Sequence, residues 1–160
     1  MANAGTYFEN SKRGRGSMSE DVEQPFGESE NMMVSIRDAK QVSRDVGEAE
    51  LTFVGHSKGR AEAAGNALAT NRNALLYNPA AINEDAYGLD SKKYTGADKN
   101  GMTAYVVKGD MLDSFINQFF AKPIDKAVYL PTQSKNPITN HLIDAMIKAI
   151  QEYNKTNEKK

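Results

Sequence analysis

The sequence predicts an α/β fold in which a parallel sheet carries helices on both faces. Four short apolar segments alternate with segments of helical periodicity, and glycine, asparagine or proline follows each apolar segment within two residues. Fully apolar strands are typical of parallel sheets covered on both sides, whereas antiparallel sheets with one solvated face alternate apolar and polar residues. A chain of 160 residues is long enough to bury a core of its own and fits one domain.

The first helix is predicted from Met32 to Val46, where apolar residues recur at helical spacing between an N-cap at Ser29 and a stop at Gly47. Strands and helices then alternate, interrupted by an irregular or briefly helical stretch at 80–89 and a polar excursion at 90–101. The predicted strands are 51–54, 73–77, 103–107 and 127–130, and the further predicted helices are 58–70, 111–120 and 138–153.

The chain is predicted to consist of a single domain at 29–153 with polar ends. Residues 1–28 form a polar, partly irregular segment with at most one strand, near 6–8, because glycine, proline and clustered charges dominate it. Residues 154–160 are expected to be a flexible tail.

Composition excludes several classes of function. With 20 Lys plus Arg against 21 Asp plus Glu, the net charge of -1 provides no overall basic field, so we expect no nucleic-acid partner. The absence of cysteine excludes disulfides, thiolate zinc sites and cysteine nucleophiles. We find no apolar core of a signal peptide and no run of about 20 apolar residues, so we expect a soluble chain. Localisation stays open, because an exported bacterial effector domain would fit the same features.

A GxSxG motif, Gly55-His56-Ser57-Lys58-Gly59, lies between the first predicted strand and the helix at 58–70. This is the setting of a nucleophile elbow, in which a serine adopts a strained conformation and the flanking glycines let strand and helix approach closely. The alternative is a glycine-rich turn that only packs an alanine-rich helix on the sheet, or that holds an anion at the helix N-terminus.

The acid and base candidates follow later strands. Ligands of parallel α/β sheets bind beyond the carboxyl ends of the strands, where Asp110 follows the third strand and His141 opens the last helix. The order Ser, Asp, His is that of α/β-hydrolases. Of the two histidines, His56 should point away from Ser57, which leaves His141 as general base. Asp113 competes with Asp110, and we prefer Asp110 because the acid normally follows its strand immediately; helix capping or surface charge is the alternative for both.

The remaining element of the predicted site is an oxyanion hole. The backbone N–H of Lys58 opens the helix after the serine and is the first expected donor. The loop at 13–17 is the candidate for the second donor, and a basic solvated loop is an equally good interpretation of it. No metal and no cofactor are needed.

The stretch from Leu51 to Ile82 resembles the lipase-like α/β-hydrolases, which include the class 3 lipases and the lipase-like domains of Rhs-type polymorphic toxins. The resemblance continues more loosely through YVVKGDMLDSF and NHLIDAMIKAI. It implies a serine esterase that acts on acyl esters, with lipids or phospholipids as usual substrates. It places the nucleophile at Ser57, the acid at Asp110 and the base at His141.

The sequence departs from that family in two respects. Relatives have glycine where this chain has Arg60, whose side chain we expect to project to solvent rather than across the mouth of the site. Only about 50 residues precede the elbow, so the α/β-hydrolase-like sheet is abbreviated. The alternative function is therefore a catalytically inactive binding or assembly module. Expected partners are an acyl-ester or lipid substrate, a membrane surface contacted peripherally, and a parent protein or partner chain that completes the fold.

Overall fold

Parallel strands form the centre of the computed structural model, and they hydrogen-bond in the order β1-β2-β3-β4-β5. The structure describes residues 2–3, 30–79, 82–96, 101–110 and 126–158. The strands are β1 (Ala2–Asn3), β2 (Thr52–Ser57), β3 (Asn73–Pro79), β4 (Met102–Val107) and β5 (Lys126–Leu130). The predicted α/β class is confirmed, with β1 as a two-residue addition at one edge.

The described residues also form four α-helices and two short 3-10 helices. They are α1 (Glu30–Val46), α2 (Lys58–Thr70), α3 (Pro137–His141) and α4 (Ile143–Asn157), with the 3-10 helices at Asp85–Tyr87 and Ser91–Lys93. Gly47 ends α1 with a φ of 58°, as the sequence predicts. None of the described helices is long and apolar enough to cross a bilayer.

The helix predicted at 138–153 is in fact two helices, and the second ends later than predicted. The predicted helix is interrupted by Leu142, whose φ of -68° and ψ of 149° are extended, so that α3 and α4 are separate helices. The second of the two helices, α4, continues to Asn157, four residues beyond the predicted end at residue 153. Helical periodicity could not show the interruption, because the apolar spacing runs through it.

Helices cover both faces of the sheet, as predicted. Successive strand residues point to opposite faces, so alternate residues build two separate cores. One core joins β2, β3 and β4 to α1 and α2 through Phe53, Ala74, Leu76, Met102, Ala104, Ala39, Ala63, Ala64 and Ala67. The other joins β4 and β5 to α4 through Val107, Val128, Leu130, Met146 and Ala149.

Several predicted features lie outside the described residues. They are the strand near 6–8, the loop at 13–17, the N-cap Ser29, the helix at 111–120 and the alternative acid Asp113.

Candidate active site

Ser57 occupies a sharp turn between β2 and α2. Its φ of 53° and ψ of -121° lie in a region that residues with a side chain rarely adopt, and α2 begins at the next residue. A Cβ on Gly55 would overlap the carbonyl oxygen of Gly59 and lie 2.6 Å from Cα of Arg60. The glycine at position 55 is therefore required because the first turn of α2 lies against the strand. This is the geometry of a nucleophile elbow.

The three predicted catalytic side chains form one hydrogen-bonded chain. The Ser57 Oγ lies 2.6 Å from Nε2 of His141, and the His141 Nδ1 lies 2.9 Å from Oδ2 of Asp110. Only 7% of Ser57, 2% of His141 and 4% of Asp110 is exposed, so bulk water competes little for these bonds. The structure thus brings Ser57, Asp110 and His141 together, as the sequence predicts.

The partners of the His141 ring determine its tautomer. A carboxylate can only accept a hydrogen bond, so Nδ1 carries the ring proton and donates a hydrogen bond to Asp110. The Nε2 atom is then free of a proton and accepts from the Ser57 hydroxyl. A base in this state can remove the hydroxyl proton as the oxygen attacks.

A tight turn after β4 places Asp110. The Asp110 N–H donates to the carbonyl of Val107, and Gly109 between them has a φ of 75°, which glycine adopts without strain. A Cβ at Gly109 would lie 3.3 Å from the Asn140 side-chain nitrogen. The turn therefore packs directly on the residue that precedes His141.

His141 is the last residue of the short helix α3 rather than the first residue of a long helix. Asn136 caps α3 by accepting from the N–H of Ile138, and Pro137 occupies the first turn. Asn140, which is 1% exposed, accepts from the N–H groups of Gln133 and Ser134 and donates to the carbonyl of Gly109. A helix of five residues is not stable alone, so these bonds hold the base in place.

His56 contacts the base, a role that the sequence analysis missed. Its Nε2 donates to the backbone carbonyl of His141 at 2.9 Å, and the two rings lie 5.5 Å apart. Burial lowers the pKa of His56, and the nearby His141 lowers it further. The sequence feature that could have indicated this contact is the position of His56 beside Ser57, at the edge of the sheet where His141 was also expected.

Asn78 is a second contact that the sequence analysis missed. It is fully buried at the end of β3, where its side chain accepts from the N–H of Val107 and donates to the carbonyl of Asn140. The available signal was a polar residue directly after a predicted strand, at the edge where ligands of such sheets bind.

Arg60 does not project to solvent, so that prediction is wrong. It is 1% exposed, and burial lowers the pKa of its guanidinium well below the ordinary value. The reason is the position of α2, in which Gly59, Arg60 and the whole segment 63–67 are buried. A helix enclosed in this way offers few outward directions, which a single sequence window cannot reveal.

The backbone N–H of Lys58 is available near the nucleophile because Lys58 is the first residue of α2. The first N–H groups of a helix have no partner within the helix, and the helix dipole adds partial positive charge there. An anion that forms on a carbonyl attacked by Ser57 would meet this group.

An apolar rim, defined here as Ile138, Leu142, Ile143 and Ile147, is formed by residues of α3, of α4 and of the extended residue between them, in the segment of the chain that contains His141. These side chains are 36 to 49% exposed, although residues of their type are mostly buried. Exposed aliphatic side chains in the segment around His141 offer apolar surface to a ligand.

No protein-family model and no curated protein matches the chain.

Proposed function

We propose that the chain is a serine hydrolase that cleaves carboxylic esters. The observation that carries the proposal is the continuous chain of hydrogen bonds from the Ser57 hydroxyl through both nitrogens of His141 to the Asp110 carboxylate. A serine hydroxyl is a weak nucleophile, and an adjacent imidazole oriented by a carboxylate is the arrangement that activates it.

The reaction proceeds in two halves. Ser57 Oγ attacks the acyl carbonyl carbon while His141 Nε2 takes the hydroxyl proton, and the carbonyl oxygen becomes an oxyanion that accepts from the Lys58 N–H. When the oxyanion collapses, the ester C–O bond breaks and His141 gives its proton to the leaving alcohol. Water then attacks the acyl-serine with His141 as base, which releases the acid and restores Ser57.

The backbone of the elbow supports this role for the serine. A strained conformation costs about 1 to 3 kcal/mol and persists only where the surroundings impose it, so such residues cluster at functional sites. Ser57 has that conformation without a side-chain bond to the N-terminus of α2, and its hydroxyl instead bonds to His141.

The apolar rim supports an ester with an apolar acyl chain. Lipids or phospholipids are the substrates that the family resemblance implies, and the exposed Ile143 and Ile147 would contact the chain or a lipid surface. The chain would then contact a membrane surface peripherally through these side chains.

A catalytically inactive α/β module is the second candidate. The observation that favours it is Arg60, a buried cation three residues after the nucleophile where the resembling family has glycine. A positive charge in the first turn of a helix is also unfavourable next to the helix dipole.

Labelling with a fluorophosphonate separates the two candidates, since only an activated serine reacts at an appreciable rate. We expect mass spectrometry to locate the label on Ser57, and Ser57→Ala to lose both labelling and hydrolysis of p-nitrophenyl esters by at least a factor of about a thousand. Acetate and laurate esters, compared in the same assay, measure the preference for long acyl chains.

Ser91→Ala is the matched control, because Ser91 lies in a 3-10 helix and bonds through its backbone, whose N–H donates to Glu84 and whose carbonyl accepts from the Tyr94 N–H. It should label like the parent chain. A parent chain that is folded but unlabelled, or a Ser57→Ala variant that hydrolyses at the parent rate, would refute the hydrolase proposal.

A further inference from the structure

Asn78 lies on β3, between the strand that carries the nucleophile and the strand that precedes the acid. The register of β2 and β3 pairs His56 with Tyr77 and then Ser57 with Pro79, so Asn78 is an extra residue in a β-bulge. Its φ of 43° is in the left-handed region. Bulges of this kind redirect a side chain and are over-represented beside active sites.

The redirected amide connects the acid strand to the base helix. Its Oδ1 accepts from the N–H of Val107, the last residue of β4, at 3.0 Å. Its Nδ2 donates to the carbonyl of Asn140 at 2.9 Å, with a longer contact of 3.4 Å to the carbonyl of His141. One buried side chain therefore spans the two segments that contain Asp110 and His141.

The carbonyls that accept from the Asn78 amide are ones that have no hydrogen-bond donor within α3. The last carbonyls of a helix have no partner within it, and α3 ends at His141 because Leu142 is extended. His56 reaches the same His141 carbonyl from β2, at 2.9 Å. The backbone of the base is thus held by donors from two neighbouring strands.

We infer that Asn78 is a positioning residue for His141, which it holds in register with Asp110 and Ser57 through the bulge in β3. This inference rests on the proposed hydrolase function. The Ser57 Oγ to His141 Nε2 distance of 2.6 Å depends on where the backbone of residues 140 and 141 lies. A displacement of about 1 Å at a catalytic group can cost about a hundredfold in rate, so the loss of the Asn78 amide is felt in catalysis.

Asn78→Gly removes the amide and keeps the backbone, because glycine adopts a positive φ without strain. Asn71→Gly is the matched control, since Asn71 also has a positive φ, of 56°, and its side chain also accepts from backbone N–H groups, those of Thr95 and Gly96. Asn71 lies just before β3 begins, at the end of the sheet opposite to Ser57.

Asn78→Asp is nearly isosteric and tests the donor alone. Above the pKa of the new carboxyl, its second oxygen would face the carbonyl of Asn140 and repel it, whereas the protonated form would donate as the amide does. The labelling rate of the parent chain also varies with pH, so the quantity to compare is the rate of Asn78→Asp divided by that of the parent chain. This ratio should rise as the pH falls.

The experiment measures the rate of fluorophosphonate labelling from pH 5 to pH 8, together with the proton NMR resonance of the His141 Nδ1–H. We expect Asn78→Gly to label at least about tenfold more slowly than the parent chain, Asn71→Gly to label within about twofold, and the ratio for Asn78→Asp to rise toward acid pH. The His141 Nδ1–H resonance reports on the imidazole itself, so it separates a positioning role from a loss of stability.

A labelled parent with Asn78→Gly reacting equally fast, or a flat ratio for Asn78→Asp, overturns the inference and leaves the hydrolase proposal intact. An unlabelled parent instead refutes the hydrolase proposal. The NMR signal then decides the positioning role separately: a His141 Nδ1–H resonance that shifts in Asn78→Gly and not in Asn71→Gly supports it, and an unchanged resonance in both overturns it.

Discussion

The elbow at residues 55–60 and the base segment at residues 136–142 position Ser57 and His141, the proposed nucleophile and base, in opposite ways. In the elbow, the steric limits of a few consecutive residues determine where Ser57 lies. The Gly55 backbone touches Gly59 four residues later, and α2 starts directly after the serine. The nucleophile is therefore placed by local geometry.

The base segment is placed by distant residues. His141 ends a helix of five residues, and the partners that hold its backbone, its ring and its neighbour Asn140 come from β2, β3 and the turn after β4. His56 is 85 residues away in sequence, Asn78 is 62 residues from Asn140, and Asp110 is 31 residues from His141. One short motif can therefore specify the position of Ser57, whereas the position of His141 depends on the assembled sheet.

Asp110→Asn removes the carboxylate that orients His141 and should have the largest effect. An amide at this position can donate to Nδ1, which would place the imidazole proton on Nε2 and leave no acceptor for the Ser57 hydroxyl. We expect the rate of ester hydrolysis and of labelling to fall by about 10⁴, with the fold retained.

Asp113→Asn is the comparison variant, because Asp113 is the alternative acid in the sequence. A mild effect is expected there. If Asp113→Asn were the severe change and Asp110→Asn the mild one, the bond between His141 and Asp110 would not be the functional one.

Gly55→Ala should disrupt the close packing of β2 against α2 in the elbow. Its Cβ would overlap the backbone of Gly59, which cannot move without displacing α2. We expect a loss of about 3 kcal/mol or more in the free energy of unfolding, measured by chemical denaturation. Gly47→Ala is the control: its φ of 58° adds strain of about 1 to 2 kcal/mol, but nothing lies within 4 Å of the added Cβ. Equal losses for both variants would show that close packing is not what position 55 requires.

Arg60→Gly tests how much the buried side chain of Arg60, in the first turn of α2, contributes to stability. Removing a large buried side chain should cost about 3 kcal/mol of stability through lost packing. Arg37→Gly, at an exposed arginine in α1, should cost about 1 kcal/mol from helix propensity alone. A loss at Arg60 no larger than at Arg37 would contradict the buried position, and a strong gain in labelling would favour the inactive module.

His56→Gln tests the bond from the elbow to the backbone carbonyl of His141, and its effect should be the smallest. The pKa of His56 is lowered in the folded chain, chiefly by burial, so the unfolded chain binds a proton at a higher pH than the folded chain does. Stability contributed by His56 is therefore complete above about pH 6.5 and is lost as the pH falls below it.

Glutamine can still donate to the His141 carbonyl and binds no proton. We expect the decrease in unfolding free energy between pH 7.5 and pH 5 to be smaller in His56→Gln than in the parent chain, as measured by urea denaturation at each pH. Identical decreases would show that His56 has no lowered pKa in the folded protein.

The sequence alone was sufficient to predict the elements in which a local pattern decides the outcome. Apolar runs predicted the four principal strands, although β2 continues past Val54 to Ser57, and the GxSxG motif predicted the turn that α2 follows. The order of Ser57, Asp110 and His141 along parallel strands predicted their meeting, because the carboxyl ends of such strands lie at one edge.

Only the tertiary structure decided what depends on neighbours distant in the sequence. Arg60 is buried because α2 is enclosed by other elements, and the helix after β5 is interrupted at Leu142 where the end of α3 bonds to His56 and Asn78 instead of continuing. Local patterns describe which conformation a segment favours, whereas burial and the partners of a helix end depend on which segments meet. Five residues of sequence were therefore enough to place Ser57 in its turn, whereas the contacts that hold His141 in place became visible only in the assembled structure.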